Sequence, residues 1–138
     1  MLGDGCWMFF VYLIVKYNNQ RMSFKFEKLH IWQKSMDFGE NIYKLSIQFP
    51  KHEQYNLSSQ ILRASDSVAL NISEGSIIQS NAEFNRFLNY SVRSLAEVIT
   101  CLYKAQRRKY IDEPSFEMFY KEAYHLMNMI IAFKAKLK

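Results

Sequence analysis

The run ILRASDSVALNISEG from Ile61 to Gly75, followed by SNAEFNRFLNYSVRSLAEVITCL from Ser80 to Leu102, decides the fold. In the second stretch Phe84, Leu88, Ser91, Leu95, Val98, Leu102 and Ala105 alternate spacings of four and three, which lays one continuous seam along a helix. Ser80 and Glu83 form an S-x-x-E capping box at its start, and Arg107, Arg108 and Lys109 suit the negative pole at its end, so the spacing predicts a helix over 81–109. In the first stretch Leu57, Ile61, Ala64, Val68 and Asn71 hold the same kind of seam behind a candidate N-cap, Asn56. Gly75 can adopt the left-handed backbone that ends a helix, which predicts a helix over 57–74.

Outward from these two, Ile31, Ser35, Phe38, Ile42, Leu45 and Phe49 predict a helix over 28–49 that Pro50 stops. Phe116, Phe119, Ala123, Leu126, Ile130, Phe133 and Leu137 predict another over 114–137, with Pro114 in its first turn. Four amphipathic helices with short connections imply an all-α, antiparallel up-down-up-down four-helix bundle over residues 23–138. The composition agrees: 49% of the 138 residues are hydrophobic, while 4 glycines and 2 prolines are too few to punctuate a sandwich or barrel.

Residues 1–22 read as an N-terminal extension outside the bundle, and a misassigned start site upstream of Met22 would account for it. The apolar run from Cys6 to Val15 falls short of the roughly 20 residues a spanning helix needs. It also lacks the basic start and the small-residue cleavage site of a secretory signal, so no membrane partner is expected. Cys6 and Cys101 have neither disulfide-framework nor zinc-site spacing, which fits a reducing cytoplasm. The net charge of +5 favours contact with RNA, DNA or an acidic protein without demanding any of them.

Candidate chemistry is sparse. Asn71 places an amide in the seam, with Ser35 and Ser91 as possible partners, and such a polar layer serves to fix helix register. Arg63, Glu74 and Glu97 flank the seams, where an arginine could clamp carboxylates of its own or a neighbouring chain. No catalytic residue emerges, because these carboxylates have no histidine nearby in sequence and no nucleophile in a recognisable motif. Glu27-x-x-His30 and Glu122-x-x-His125 repeat the unit used by di-iron bundles, but each lies one place before its seam. Neither metal nor cofactor is therefore expected. Arg86, Arg93 and Arg107 recur at multiples of seven on the side opposite the seam, and Lys104, Arg108 and Lys109 extend that line. Steps of seven residues are about 10 Å along a helix, a spacing an elongated polyanion could follow.

FEKLHIWQKS, then FPKHEQYNLSSQILRASDSVALNISEG, EFNRFL and SLAE, together covering about residues 24–137, resemble a bacterial four-helix-bundle family. Its members include proteins encoded in intervening sequences of 23S rRNA genes and accessory proteins of diversity-generating retroelements. The resemblance implies a small cytoplasmic homo-oligomer, a pentameric ring, and for the retroelement members a basic surface that meets nucleic acid and a reverse transcriptase. Two positions depart from that pattern: Ile78 stands where members often carry a cation, and Arg93 where they often carry glycine. The function expected is a non-enzymatic oligomeric scaffold that binds nucleic acid nonspecifically. The alternative is a structural or protein-binding ring without that role.

Overall fold

A computed structural model describes residues 4–17 and 22–137. Five α-helices account for most of it: α1 (Asp4–Tyr17), α2 (His30–Ser46), α3 (Leu57–Ser76), α4 (Asn81–Arg107) and α5 (Glu113–Lys136), with short 3₁₀ turns at Lys25–Lys28 and Lys51–Glu53. There is no strand among the described residues. α3 packs on α2 and α4, and α5 packs on α4 and α2, so each of the last four helices has two helical neighbours. Their seams meet in one core that includes Phe38, Ile42, Leu57, Ile61, Leu88, Leu95, Leu102 and Ile130.

Sequence spacing leads to four helices, and α1 is a fifth. Of the extension expected over residues 1–22, positions 1–3 and 18–21 lie outside the described residues. Trp7, Met8, Phe9 and Phe10 are exposed, and no described residue of α1 joins the core. No helix among the described residues is long and apolar enough to cross a membrane.

The helix ends differ from expectation for local reasons. α2 starts at His30 because Lys25–Lys28 forms its own 3₁₀ turn and Leu29 is extended. It ends at Ser46, where Gln48 and Phe49 shift to three-residue hydrogen bonds to Leu45 and Ser46 before Pro50. Proline disfavours the helical region for the residue preceding it, and the last turn tightens to comply. Asn56 holds the N-cap position of α3 but its side chain caps nothing there. The Glu53 carboxylate instead accepts the Leu57 amide at 3.1 Å and the Asn56 side-chain amide at 2.9 Å. At α4 the Ser80 hydroxyl accepts the Glu83 amide at 3.3 Å, while the Glu83 carboxylate turns away to pair with Arg86. α4 ends at Arg107 because Lys109 adopts φ 61°, and Tyr110 donates back to the Ala105 carbonyl at 2.9 Å. That is the left-handed closure usually given to glycine. α5 begins at Glu113, capped by Asp112, whose carboxylate accepts the Ser115 amide at 2.8 Å.

Gly75 corrects the expected end of α3. It stays inside the helix, and no glycine among the described residues has positive φ. A Cβ there would lie 2.7 Å from the Phe87 Cβ and 2.8 Å from the Phe84 ring. The glycine is needed for close approach of α3 to α4, not for a turn. Further along the same interface the Ser67 and Ser94 hydroxyls meet, and Ser91 donates to the Val68 carbonyl at 2.9 Å.

Glu53 ties the opposite end. It is 4% exposed, and its carboxylate accepts from the Arg108 guanidinium and the Tyr110 hydroxyl, each at 2.9 Å, besides capping α3. Burial opposes its ionisation, but the Leu57 amide, the Tyr110 hydroxyl, the Arg108 charge and the Asn56 amide outweigh that and hold the carboxyl below its ordinary 4.5.

Three predictions follow from these contacts. Gly75→Ala will lower stability by about 1–2 kcal/mol in urea denaturation, because overpacking outweighs the gain in helix propensity of about 1 kcal/mol. Lys109→Gly will raise stability by about 1 kcal/mol, the order of the steric cost of a side chain in the left-handed region. Since the Glu53 carboxyl is depressed, its contribution is in place above pH 4.5 and is lost as pH falls through the lower folded-state value. Thermal melts of Glu53→Gln will therefore fall below wild type at neutral pH, and the gap will close on acidification.

Candidate nucleic-acid interface

The α3 contact fixes the rotation of α4 about its axis. Gly75 meets Phe84 and Phe87, and Ser67 meets Ser94, so this side of α4 faces α3. The ring contacts of Phe84 with Phe133 and of Tyr103 with Phe116 and Tyr120 turn the adjoining side toward α5. What remains, seven residues apart at each step, is the line Arg86, Arg93, Thr100 and Arg107, all four exposed. From Arg86 to Arg107 it covers about 32 Å at 1.5 Å per residue.

The six cations of this patch differ in what occupies them. Arg86 sits 3.0 Å from Glu83 and lies over the Phe87 ring, 5.9 Å from its centroid. Arg108 is held by Glu53 at 2.9 Å and belongs to the buried tie at the end of α4. Arg93, Lys104, Arg107 and Lys109 are exposed, and among the described residues none of them has an ion-pair partner within 4.0 Å. The Thr100 hydroxyl donates to the Ala96 carbonyl at 2.9 Å, bridging the gap in the line with a neutral side chain. These four cations on one helix and its closing turn can meet phosphates without first breaking an ion pair, with the exposed Glu97 carboxylate one turn from Arg93 on the same helix.

The polar positions of the seams are satisfied locally. Ser35 donates to the Ile31 carbonyl at 2.6 Å, and Asn71 donates to the Ser67 carbonyl at 2.8 Å instead of reaching Ser35 or Ser91. Ser91 is the one of the three that bonds across helices, to Val68. Arg63, Glu74 and Glu97 are exposed, and no ion pair joins them to each other or to another described residue.

The metal-like motifs do not assemble a ligand set among the described residues. Glu27 belongs to a 3₁₀ turn and accepts the Phe24 amide at 2.9 Å, whereas His30 begins α2. Glu122 accepts the Asn41 side chain at 3.0 Å. No three His, Cys, Asp or Glu residues converge as a metal site among the described residues. Burial pushes the Cys101 thiol up, which disfavours the reactive thiolate.

Sequence reasoning missed two surfaces. One is a groove of about 420 Å³ between α2 and α3, bordered by Trp32, Met36, Glu40, Asp66 and Leu70. Burial, with the charge of Glu40, pushes the Asp66 carboxyl up. Its one sequence signal is the set of small residues Ser35, Gly39, Ser65 and Ala69 that leave the space. The other is a row of aromatic rings between α4 and α5, formed by Tyr103, Phe116, Tyr120 and Tyr124. Its signal is the spacing of four from Phe116 to Tyr120 to Tyr124 beside the α5 seam.

Comparison with known proteins places this arrangement. A crystal structure from Bacteroides thetaiotaomicron VPI-5482, described as a protein with unknown function from the S23 ribosomal protein family, is similar to this chain with a TM-score of 0.68. The two share 26% sequence identity over 75% of this chain and 97% of that one. Comparison with curated proteins gives no match. The family model described as 23S rRNA-intervening sequence protein matches residues 27–132, from the turn before α2 into the last part of α5. The chain belongs to the 23S rRNA-intervening sequence protein family.

Proposed function

We propose that this protein is a non-enzymatic, oligomeric scaffold that binds nucleic acid nonspecifically through the outer face of α4, as an accessory to RNA or reverse-transcriptase function. The carrying observation is the set Arg93, Lys104, Arg107 and Lys109, exposed and without ion-pair partners among the described residues. Arg86 and Arg108 add charge at the two ends of the line while serving Glu83 and Glu53. Charge without base-reading geometry yields sequence-independent, salt-sensitive affinity.

In this reading α2–α5 form an antiparallel up-down-up-down bundle within the domain 23–138, and residues 1–22 are an extension outside that domain. The cyclic pattern of helix neighbours and the short connections support that arrangement. The bundle assembles as a homopentameric ring, for which the exposed, unpaired Arg63, Glu74 and Glu97 are candidate clamps between copies, while Ser35, Asn71 and Ser91 serve the interior. A ring repeats the basic face and multiplies weak contacts by avidity. The location is cytoplasmic, in keeping with one exposed and one buried free cysteine. The second reading, a structural or protein-binding ring without nucleic acid, is favoured by the groove between α2 and α3, whose Glu40 and Asp66 would repel phosphate.

Binding to an RNA duplex across a salt titration tests the first reading. Wild type will bind at low salt, and Arg86→Glu/Arg93→Glu/Arg107→Glu will flatten the log–log salt slope by about 2. Absence of wild-type binding to either duplex or single-stranded RNA at low salt would refute nucleic-acid binding and leave the protein-binding ring.

A further inference from the structure

The aromatic row between α4 and α5 lies beside the arginine line. Tyr103 and Phe116 have ring centroids 4.8 Å apart, Tyr103 and Tyr120 are at 6.3 Å, and Tyr120 and Tyr124 at 6.5 Å. Phe116 is buried and anchors the row, whereas Tyr103 is 45% and Tyr124 55% exposed. Single exposed aromatics need no explanation, but Tyr103 and Tyr124, linked through the ring of Tyr120, make an aromatic strip at the surface.

Cations border the strip on both helices. Arg107 lies one turn beyond Tyr103 on α4, and Lys121 lies one turn before Tyr124 on α5. Arg93 continues the cationic line ten residues before Tyr103 on α4. All three are exposed and have no ion-pair partner within 4.0 Å among the described residues. Glu113 and Glu117 are exposed carboxylates on the same side of α5, Glu117 one turn before Tyr120, and they limit the strip at the loop end.

This arrangement discriminates between two forms of polyanion. A duplex keeps its base faces in its own stack and offers a protein phosphates, which the arginine line alone would satisfy. A single strand offers phosphates and unstacked base faces together, and sequence-tolerant single-strand sites combine a cationic track with aromatic platforms. We propose that Tyr103, Tyr120 and Tyr124 are a stacking platform for unpaired bases, so that the protein takes single-stranded nucleic acid in preference to duplex. The inference rests on the nucleic-acid-binding reading above and adds to it the class of strand.

Fluorescence anisotropy on the full chain tests it with an oligouridylate of about 16 nucleotides and an RNA duplex of the same length. Wild type will bind the single strand about tenfold more tightly than the duplex, and Tyr103→Ala and Tyr124→Ala will each weaken the single strand about tenfold while leaving the duplex within about twofold. Tyr103→Phe and Tyr124→Phe, which keep the ring and lose the hydroxyl, will retain wild-type affinity. Equal binding of both probes, with the alanine variants indifferent, overturns this inference and leaves the basic-surface reading standing. Failure to bind either probe removes both. A fall in oligomer mass of the alanine variants by light scattering would identify the row as a contact between copies and overturn the stacking role.

Discussion

The close approach of α3 and α4 is the constraint on which the rest of the structure depends. Where Gly75 meets Phe84 and Phe87 there is no space for even a methyl group. Elsewhere along the interface Ser67, Ser91 and Ser94 keep the contact small and satisfy their hydroxyls across it or along their own helix. Small side chains bring backbones together, and near backbones leave little rotational freedom. α4 is therefore clocked by its contact with α3, and the positions it presents to water follow from that clocking. An arginine at position 86, 93 or 107 faces outward because a glycine at 75 and serines at 67 and 94 face inward.

A second constraint acts at the other end. The turn after Pro50 carries a carboxylate into a buried place, and Glu53 then needs partners there. It finds an amide at the start of α3, a guanidinium at the end of α4 and a phenol in the next loop. Tyr110 also packs against Phe49, with ring centroids 5.8 Å apart. One carboxylate thus joins three chain segments, and the left-handed Lys109 is the turn that returns Tyr110 to it. Loss of the Arg108 guanidinium or the Tyr110 hydroxyl would leave the buried carboxylate short of a partner, a greater cost than the loss of an exposed pair such as Glu83 with Arg86. The cations at the end of α4 consequently divide their labour, with Arg108 serving the fold while Arg107 and Lys109 stay at the surface.

The seams of α2 to α5 could be read directly, because the four-three alternation reports one buried face whichever neighbour covers it. The helix ends were harder. Asn56 precedes an apolar run and has the right chemistry for a cap, yet the longer reach of Glu53 from the preceding turn takes the Leu57 amide. Gly75 misled for a related reason: a glycine near a helix end has two uses, a turn or a close approach, and only the position of Phe84 and Phe87 on another helix tells them apart. The seam position of Asn71 suggests an amide that needs a partner on another helix, but its own helix supplies the Ser67 carbonyl. The outward line of α4 was legible from spacing alone. The pairing of Arg108 with Glu53, 55 residues away, was not, since nothing local encodes it. The aromatic row was missed because it is built from two helices, each contributing residues that separately look like ordinary flanks of a seam.

The distribution of charge about the helices gives the molecule a direction. Arg93, Lys104, Arg107 and Lys109 lie without ion-pair partners on the outer side of α4 and its closing turn, while Asp66 and Glu40 line the groove between α2 and α3, where burial and then the Glu40 charge raise the Asp66 carboxyl. α3 lies between these two surfaces in the order of helix neighbours. On the proposed nucleic-acid reading, a polyanion would be drawn to the first and repelled by the second, so a single bundle would be covered by it on one side only. One-sided contact limits the number of phosphates a lone bundle neutralises, and hence its affinity. On the same reading, several copies with their α4 faces turned the same way would gain affinity by avidity without new chemistry.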